Sequence, residues 1–131
     1  MSEMLNQLNS QGEKFGPWQE TYSDGSPSGS GSYSDGQKTG LWTFYFRNGR
    51  VKAEGEHEAG QLTGDWVWRH ENGAVKQQGA CRNGIQQGVW RRYHSNGQLL
   101  EVGAYVAGEK AGNWSYYSET GELEGATISS R

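Results

Sequence analysis

Apolar and polar residues alternate along most of the chain, in short stretches separated by pairs that end in glycine. In 42–47, for example, Trp42, Phe44 and Phe46 alternate with less apolar neighbours, and Asn48-Gly49 follows. A period of two is typical of a β-strand, in which successive side chains point to opposite faces of the sheet. Asn-Gly is a strong short-range signal for a tight hairpin turn. The pattern therefore predicts short antiparallel strands that follow one another through tight turns.

The whole pattern repeats every 24 residues. Each unit begins with a glycine, at positions 16, 40, 64, 88 and 112, and a tryptophan follows two residues later. The tryptophans of this series are Trp18, Trp42, Trp66, Trp90 and Trp114. A fixed period of this size indicates a repeat architecture, in which each unit packs on its neighbours. We expect a repeat domain over 15–127, a tail or cap over 1–14 and a C-terminal tail over 128–131.

Each unit contains two turn signals, which predict one hairpin and one connection to the next unit. The first is exemplified by Asn48-Gly49 and the second by Ala59-Gly60. We expect the Asn-Gly pairs to form two-residue type I′ turns. The predicted fold class is all-β: an elongated, twisted antiparallel meander of about five β-hairpin repeats of 24 residues, in a single-layer open sheet.

A two-residue turn fixes which residues face each other across a hairpin. At Asn48-Gly49 it places Trp42 opposite Gly55 and Phe46 opposite Val51. The same count in the other hairpins pairs Trp18 with Gly31, Trp66 with Gly79, and Trp90 with Gly103. We expect each indole to cover the bare backbone of the glycine opposite it. We also expect a β-bulge at Gly40, Gly64, Gly88 and Gly112, each two residues before a repeat tryptophan.

Alternation also separates two faces of the sheet. The Trp face carries the repeat tryptophans with Phe44, Phe46, Trp68, Val51, Val75, Leu99 and Leu123, and we expect it to hold the fold. The opposite face, here the Tyr face, carries a column with one residue per unit, and Arg91 shares this face. The column consists of Tyr45, Arg69, Tyr93 and Tyr117. Because Tyr and Arg are enriched at interface hot spots, and a single-layer sheet leaves a face uncovered, we predict that these five residues bind a partner.

Charge and composition exclude several classes of partner. The net charge is −3 and the mean hydropathy is −0.94. An acidic balance argues against nucleic acid and against an anionic membrane, although Arg69, Arg91 and Arg92 form one local basic spot. The single cysteine, Cys81, excludes an intrachain disulfide. We expect a soluble, cytoplasmic protein, because the first residues lack a signal-peptide pattern and no stretch is apolar enough to span a membrane.

The sequence predicts no catalytic, metal or cofactor site. His70 and His94 occupy the same position in successive units, so they would lie two strands, or roughly 9–10 Å, apart. That separation is too large for one metal ion with ligand bonds of about 2 Å, and His57 and Cys81 fail for the same reason. Cys81 also has no histidine in its own strand to act as a base. We therefore expect a protein that is not an enzyme.

One unit carries the spacing Trp90-x-x-Tyr93-x-x-x-Gly97-x-Leu99-x-x-x-Gly103-x-Tyr105-x-x-Gly108-x-x-x-Gly112. This spacing resembles the MORN-repeat family, and most closely its bacterial variant, the YwqK-like antitoxins. The resemblance covers about 16–125. It implies a twisted sheet of successive hairpins and binding without catalysis.

The resemblance also suggests what the partner is. It implies another protein, with a toxin as the most concrete version, which the repeat array would neutralise by occlusion. The alternative from the same family is an adaptor or scaffold without an inhibitory role, including one associated with a membrane or envelope. Self-association through the open sheet edges stays open.

Overall fold

The computed structural model describes residues 4–129, and these form one sheet of eleven strands. The strands are β1 Gln7–Leu8, β2 Lys14–Thr21, β3 Pro27–Ser34, β4 Gln37–Tyr45, β5 Val51–Glu58, β6 Gln61–Arg69, β7 Val75–Arg82, β8 Ile85–Tyr93, β9 Leu99–Val106, β10 Glu109–Tyr117 and β11 Leu123–Ser129. Successive strands lie side by side and antiparallel, from β1 to β11. Within residues 4–129 there is no helix, and extensive contacts join only neighbouring strands. The predicted all-β meander in one open sheet is confirmed.

Type I′ turns connect one unit to the next. Asp35 and Gly36 both have positive φ, 51° and 80°, and the flanking residues Ser34 and Gln37 pair directly. The other three connections have the same form, including the one in which Ala59 takes a φ of 50°. A positive φ at both central residues defines type I′, whose twist matches that of the flanking strands.

The Asn-Gly turns within each unit are not type I′ turns, so that prediction is wrong. At Asn48-Gly49 only Gly49 has a positive φ, 88°. Phe46 N–H donates to the Arg50 carbonyl at 2.8 Å, and Gly49 N–H donates to the Phe46 carbonyl at 2.9 Å, which closes a three-residue loop. The Asn48 side chain accepts from Arg50 N–H at 2.9 Å. This local bond favours Asn48 as the third residue of an ordinary β-turn over 46–49. The last residue of that turn, Gly49, has the left-handed conformation.

A bulge near each of these loops restores the predicted register further along the hairpin. Trp42 pairs with Gly55 as predicted, but Val51 pairs with Tyr45 and not with Phe46. Lys52 is the extra residue between the two registers. Since paired residues share a face, Val51 lies on the Tyr face, and the placement of the aliphatic residues on the Trp face is wrong. Val75, Leu99 and Leu123 likewise pair with Arg69, Tyr93 and Tyr117.

Gly40, Gly64, Gly88 and Gly112 lie in bulges, as predicted. Thr39 pairs with Ser32 and Thr43 with Ser30, so the residues 40–42 stand against Gly31 alone. Gly40 itself has a φ of 69°, a conformation that strongly favours glycine.

The indoles of Trp42, Trp66, Trp90 and Trp114 each cover a glycine, but in the strand that precedes the tryptophan and not in its own hairpin. A Cβ placed on Gly31 would lie 2.3 Å from the ring of Trp42, whereas Gly55 lies under Trp66 in the same way. The bulge interrupts the ladder at this point, and the Trp42 indole N–H donates to the Ser32 carbonyl at 2.8 Å. The predicted residue pairing was right for the backbone and wrong for the direction of the ring.

The core is a line of aromatic rings on the Trp face. Trp42, Phe44, Trp66, Trp68 and Trp90 follow one another with centroid distances of 5.8, 6.4, 5.4 and 5.7 Å. Trp42, Trp66, Trp90 and Trp114 are almost fully buried, while Trp18, Phe44 and Trp68 are half-buried. Such offset ring pairs stabilise beyond their buried area, so the thin sheet gains a core without a second layer.

The two outer ends of the sheet are finished differently. At the N-terminal end the Asn6 side chain pairs with both backbone groups of Gln19, at 3.0 and 2.8 Å, and Trp18 N–H donates to the Gln7 carbonyl. At the other end Thr127 pairs with Trp114 at the position that is glycine in earlier units. β11 therefore lacks the bare backbone on which a further tryptophan would lie.

Candidate binding surfaces

The structure brings the predicted column together on the Tyr face. Tyr45, Arg69, Tyr93 and Tyr117 are the last residues of β4, β6, β8 and β10, and all four are half-buried. Arg91 lies two residues before Tyr93 on the same face and is exposed. Adjacent members are two strands apart, roughly 9–10 Å. Four side chains therefore stand in a straight series across most of the sheet.

Polar contacts within the chain hold three of the four column residues in place. Gln78 Nε2 donates to the Tyr93 hydroxyl at 3.2 Å, and the Tyr45 hydroxyl lies 3.5 Å from Ser30 Oγ. Arg69 donates to the Gly73 carbonyl at 3.2 Å and forms an ion pair with Glu54 at 3.9 Å. Side chains that are already ordered lose less entropy when they bind. These contacts pre-organise Tyr45, Arg69 and Tyr93 in the free protein.

Residues beside the column tie one unit to the next. His70 Nε2 lies 2.9 Å from the Tyr93 carbonyl, and His94 Nε2 lies 2.8 Å from the Tyr117 carbonyl. The Tyr22 hydroxyl donates to the Tyr45 carbonyl in the same way. These contacts span 23 residues each, one less than the period, which is the signal that sequence reasoning missed. Both histidines therefore link neighbouring units. From the sequence they were considered as metal ligands, and that role was rejected.

His57 and Cys81 occupy equivalent buried positions beside the repeat tryptophans. The His57 ring meets Trp66 edge-on at 5.0 Å, and its Nδ1 has no hydrogen-bond partner within residues 4–129. Burial raises the pKa of the Cys81 thiol, which disfavours the reactive thiolate. No group of three His, Cys, Asp or Glu residues in this part of the chain could hold a metal ion.

Acid should destabilise the protein through His57. Burial, and then the nearby charge of Lys38, lowers the pKa of His57 below its usual 6.5. The unfolded chain binds the proton more readily than the folded one. The contribution of His57 to the free energy of unfolding is therefore fully present above about pH 6.5, and it is lost as the pH drops below that value, by at most about 1.4 kcal/mol per pH unit. Urea unfolding between about pH 7 and pH 5 measures this slope. His57→Tyr, with the residue found at 33 and 105, should flatten it; an unchanged slope would assign the effect to other groups.

A second surface lies on the Trp face, where sequence reasoning expected only a structural role. One continuous rung of paired residues crosses the sheet and has one larger side chain per unit. These are Glu20, Phe44, Trp68, Arg92 and Tyr116, here the Trp-face row. A cleft of about 440 Å³ is lined by Phe44, Trp68, Ala53 and neighbouring side chains.

The chemistry of the row changes along the sheet. The rung residues between its members are Gly29 and Ala53 in the first units and Gln77 and Glu101 in the later ones. Glu101 is 4% exposed and pairs with Arg92 at 3.1 Å and with Lys110 at 3.5 Å. The apolar cleft thus belongs to the N-terminal half, and the buried Glu101 with its two exposed cationic partners occupies the C-terminal half.

Comparison with known families supports the repeat interpretation. A family model described as MORN repeat variant matches residues 38–59 and 86–107. The matches start 48 residues apart, at 38 and 86, which is twice the period, and each covers one hairpin, β4–β5 or β8–β9. MORN repeats are non-catalytic units that mediate contacts with proteins or membranes. Comparison with curated proteins gives no match. Within residues 4–129 no helix has the length and apolar character needed to cross a membrane.

Proposed function

We propose that this protein is a non-enzymatic, cytoplasmic repeat module that binds another protein through its Tyr face, and that it acts as an antitoxin or immunity protein by occluding a partner toxin. The observation that supports binding is the column of Tyr45, Arg69, Tyr93 and Tyr117, which is half-exposed and covered by no second layer within residues 4–129, and in which polar contacts hold the first three side chains. Tyrosine and arginine carry much of the binding energy at protein interfaces. The antitoxin role rests on the resemblance to YwqK-like antitoxins.

The dimensions of the column suit occlusion. Its four members span three intervals of two strands, or about 29 Å at the usual strand spacing. A standard interface buries about 800 Å² on each partner. A column of this length, with Arg91 beside Tyr93, supplies anchors along such a patch. A toxin surface that contacts all four would be covered by the intervening sheet.

The histidine and cysteine side chains considered for catalysis or metal binding take part in structural contacts or are buried. His70 and His94 contact backbone carbonyls of the next unit, and Cys81 is buried with a raised pKa. These contacts support a binding function over a chemical one. An adaptor or scaffold role is the second candidate, because the Trp-face row offers a further surface of different chemistry on the opposite side of the sheet.

Affinity purification from the native cells tests the proposal with one pair of variants. Tyr93→Ala should weaken capture of the partner at least tenfold, about 1.4 kcal/mol, with the thermal midpoint little changed, because the side chain is half-exposed. Tyr116→Ala is the matched control, since Tyr116 is a half-buried tyrosine on the Trp face. Arg69→Ala should behave as Tyr93→Ala does.

The identity of the captured protein separates the two roles. A single stoichiometric partner with toxic activity supports the antitoxin, and several non-toxic partners support the adaptor. If Tyr93→Ala and Arg69→Ala retain the partner while Tyr116→Ala loses it, the Tyr face is not the binding face. If nothing is captured by the wild-type protein, protein binding itself is wrong.

A further inference from the structure

We propose that the Trp-face row is a groove for a proline-rich segment in the polyproline II conformation. This site extends the proposed protein-binding function to the opposite face, and it relies on that function only in taking a protein segment as its ligand. Four features of the row support it: an apolar cleft, an indole donor without a partner within residues 4–129, a matching period, and a charged side chain on either side of the cleft.

The cleft has the form that prolines occupy. Phe44 and Trp68 are half-buried, and they stand two strands apart on either side of Ala53. Leu62 and His57 also line the cleft. The small Ala53 leaves the gap open, whereas Gln77 and Glu101 take the same position in the next two units. Pro-rich segments dock into grooves lined by aromatic rings in this way.

Trp68 offers a hydrogen-bond donor that no residue of the described chain uses. The five repeat tryptophans donate their indole N–H groups to backbone carbonyls at 2.8–3.1 Å. Trp68 is the remaining tryptophan, and its N–H has no partner within residues 4–129. Carbonyls of a polyproline II segment make no internal hydrogen bonds. The segment therefore carries the acceptors that this donor lacks.

The period of the sheet matches the period of the ligand. Neighbouring strands are about 4.7–4.9 Å apart, so successive members of the row are about 9.4–9.8 Å apart. Three residues of polyproline II advance about 9.3 Å and complete one turn. A segment laid across the strands would thus present every third side chain to the same point of successive units. If recognition uses this match, affinity depends on the spacing of the prolines in the segment and not only on their number.

Charged side chains on either side of the cleft specify the flanks of the segment. Glu20 precedes Phe44, and Arg92 follows Trp68. Their side chains are 33% and 46% exposed, although Glu20 also pairs with Lys14 at 4.0 Å and accepts from the Tyr33 hydroxyl, and Arg92 also pairs with Glu101. The complementary ligand has a basic residue, prolines three and six positions later, and an acidic residue three positions after the second proline.

Calorimetric titration with two synthetic peptides tests the groove. The first is Arg-Ala-Ala-Pro-Ala-Ala-Pro-Ala-Ala-Glu, and the second is Arg-Ala-Ala-Ala-Pro-Ala-Pro-Ala-Ala-Glu, which has the same composition and a different proline spacing. The first should bind at least tenfold more tightly than the second. In a proton–nitrogen correlation spectrum it should shift the indole signal that disappears in Trp68→Phe. Equal affinities, or no binding of the first peptide at about 1 mM, where a contact of only about 4 kcal/mol would still register, overturn the proposal.

Variants locate the site and separate it from the Tyr face. Trp68→Phe keeps an aromatic ring but removes the donor, and it should weaken the first peptide about tenfold. Tyr93→Ala should leave its affinity unchanged, and a loss there with no loss in Trp68→Phe would contradict the groove. If the Tyr face still captures its partner while neither peptide binds, the groove alone is wrong; if both are absent, protein binding fails as well.

Discussion

Trp90→Ala should lower the free energy of unfolding by about 3–5 kcal/mol, the range for removing a buried aromatic side chain. Trp90 is 2% exposed and packs against Trp68 and Tyr105 at 5.7 and 6.2 Å. Its indole N–H donates to the Ala80 carbonyl at 2.9 Å, so truncation also leaves that carbonyl without its donor. Urea unfolding followed by far-ultraviolet circular dichroism gives the free energy.

Trp68→Ala is the matched control for this loss. Trp68 neighbours Trp90 in the same line of rings, but it is half-buried and its N–H makes no bond within residues 4–129. It should therefore cost clearly less than Trp90→Ala. Equal losses would mean that the two rings contribute alike, and that the glycine beneath Trp90 has no special part in the core.

Gly79→Ala should lower the free energy of unfolding by about 3 kcal/mol, the upper part of the usual range for overpacking. A Cβ at this position would lie 2.2 Å from the Trp90 ring, and that ring is fixed by its own hydrogen bond. Gly125→Ala is the control, since nothing lies within 4 Å of a Cβ there and its backbone needs no positive φ. That change should be neutral or stabilise by up to about 1 kcal/mol.

A double variant shows whether the two effects share one cause. In the Trp90→Ala background, Gly79→Ala should cost far less than in the wild type, because the obstructing ring is gone. Purely additive losses in the same urea experiment would contradict the assignment of Trp90 to Gly79. They would return the indole to Gly103, its partner in the backbone register.

The sequence alone predicts most of the fold, because one period sets the repeat units, the strands and the bulges together. The Gly-x-Trp spacing defines the units, alternation defines the strands, and glycine marks the bulges. The pairing of Trp42 with Gly55 was predicted from a two-residue turn, and it holds because a longer loop and the extra residue Lys52 offset each other. A correct register can thus come from an incorrect turn.

The direction of the indoles could not be predicted from the pairing. Trp42 has a glycine on each side, Gly55 in its hairpin and Gly31 in the preceding strand, and alternation places both on the same face. The bulge at Gly40 decides between them, because the ladder is open on the side of Gly31 and the Ser32 carbonyl accepts the indole there. That choice depends on local geometry that residue types do not specify.

The second candidate surface was missed for a related reason. Phe44 and Trp68 share a face with the repeat tryptophans, so the sequence assigned all of them to the core. A Cβ on the glycine beneath Trp42, Trp66, Trp90 or Trp114 would lie within 2.3 Å of the ring, and these four tryptophans sink almost fully into the sheet. The same atom on Gly29 would lie 3.0 Å from Phe44, which is only half-buried. Phe44 and Trp68 stand higher and leave a cleft over Ala53. The number of aromatic residues was visible in the sequence, and their depth was not.

Binding and occlusion of a toxin are tested most directly by titrating the captured partner's activity with the purified protein. Inhibition should be complete at one equivalent of the wild-type chain and should need at least about tenfold more of Tyr93→Ala, as expected when a hot-spot side chain is lost. Tyr116→Ala should inhibit as the wild type does. Full activity of a partner that is saturated with the wild-type protein would contradict occlusion and leave the adaptor role.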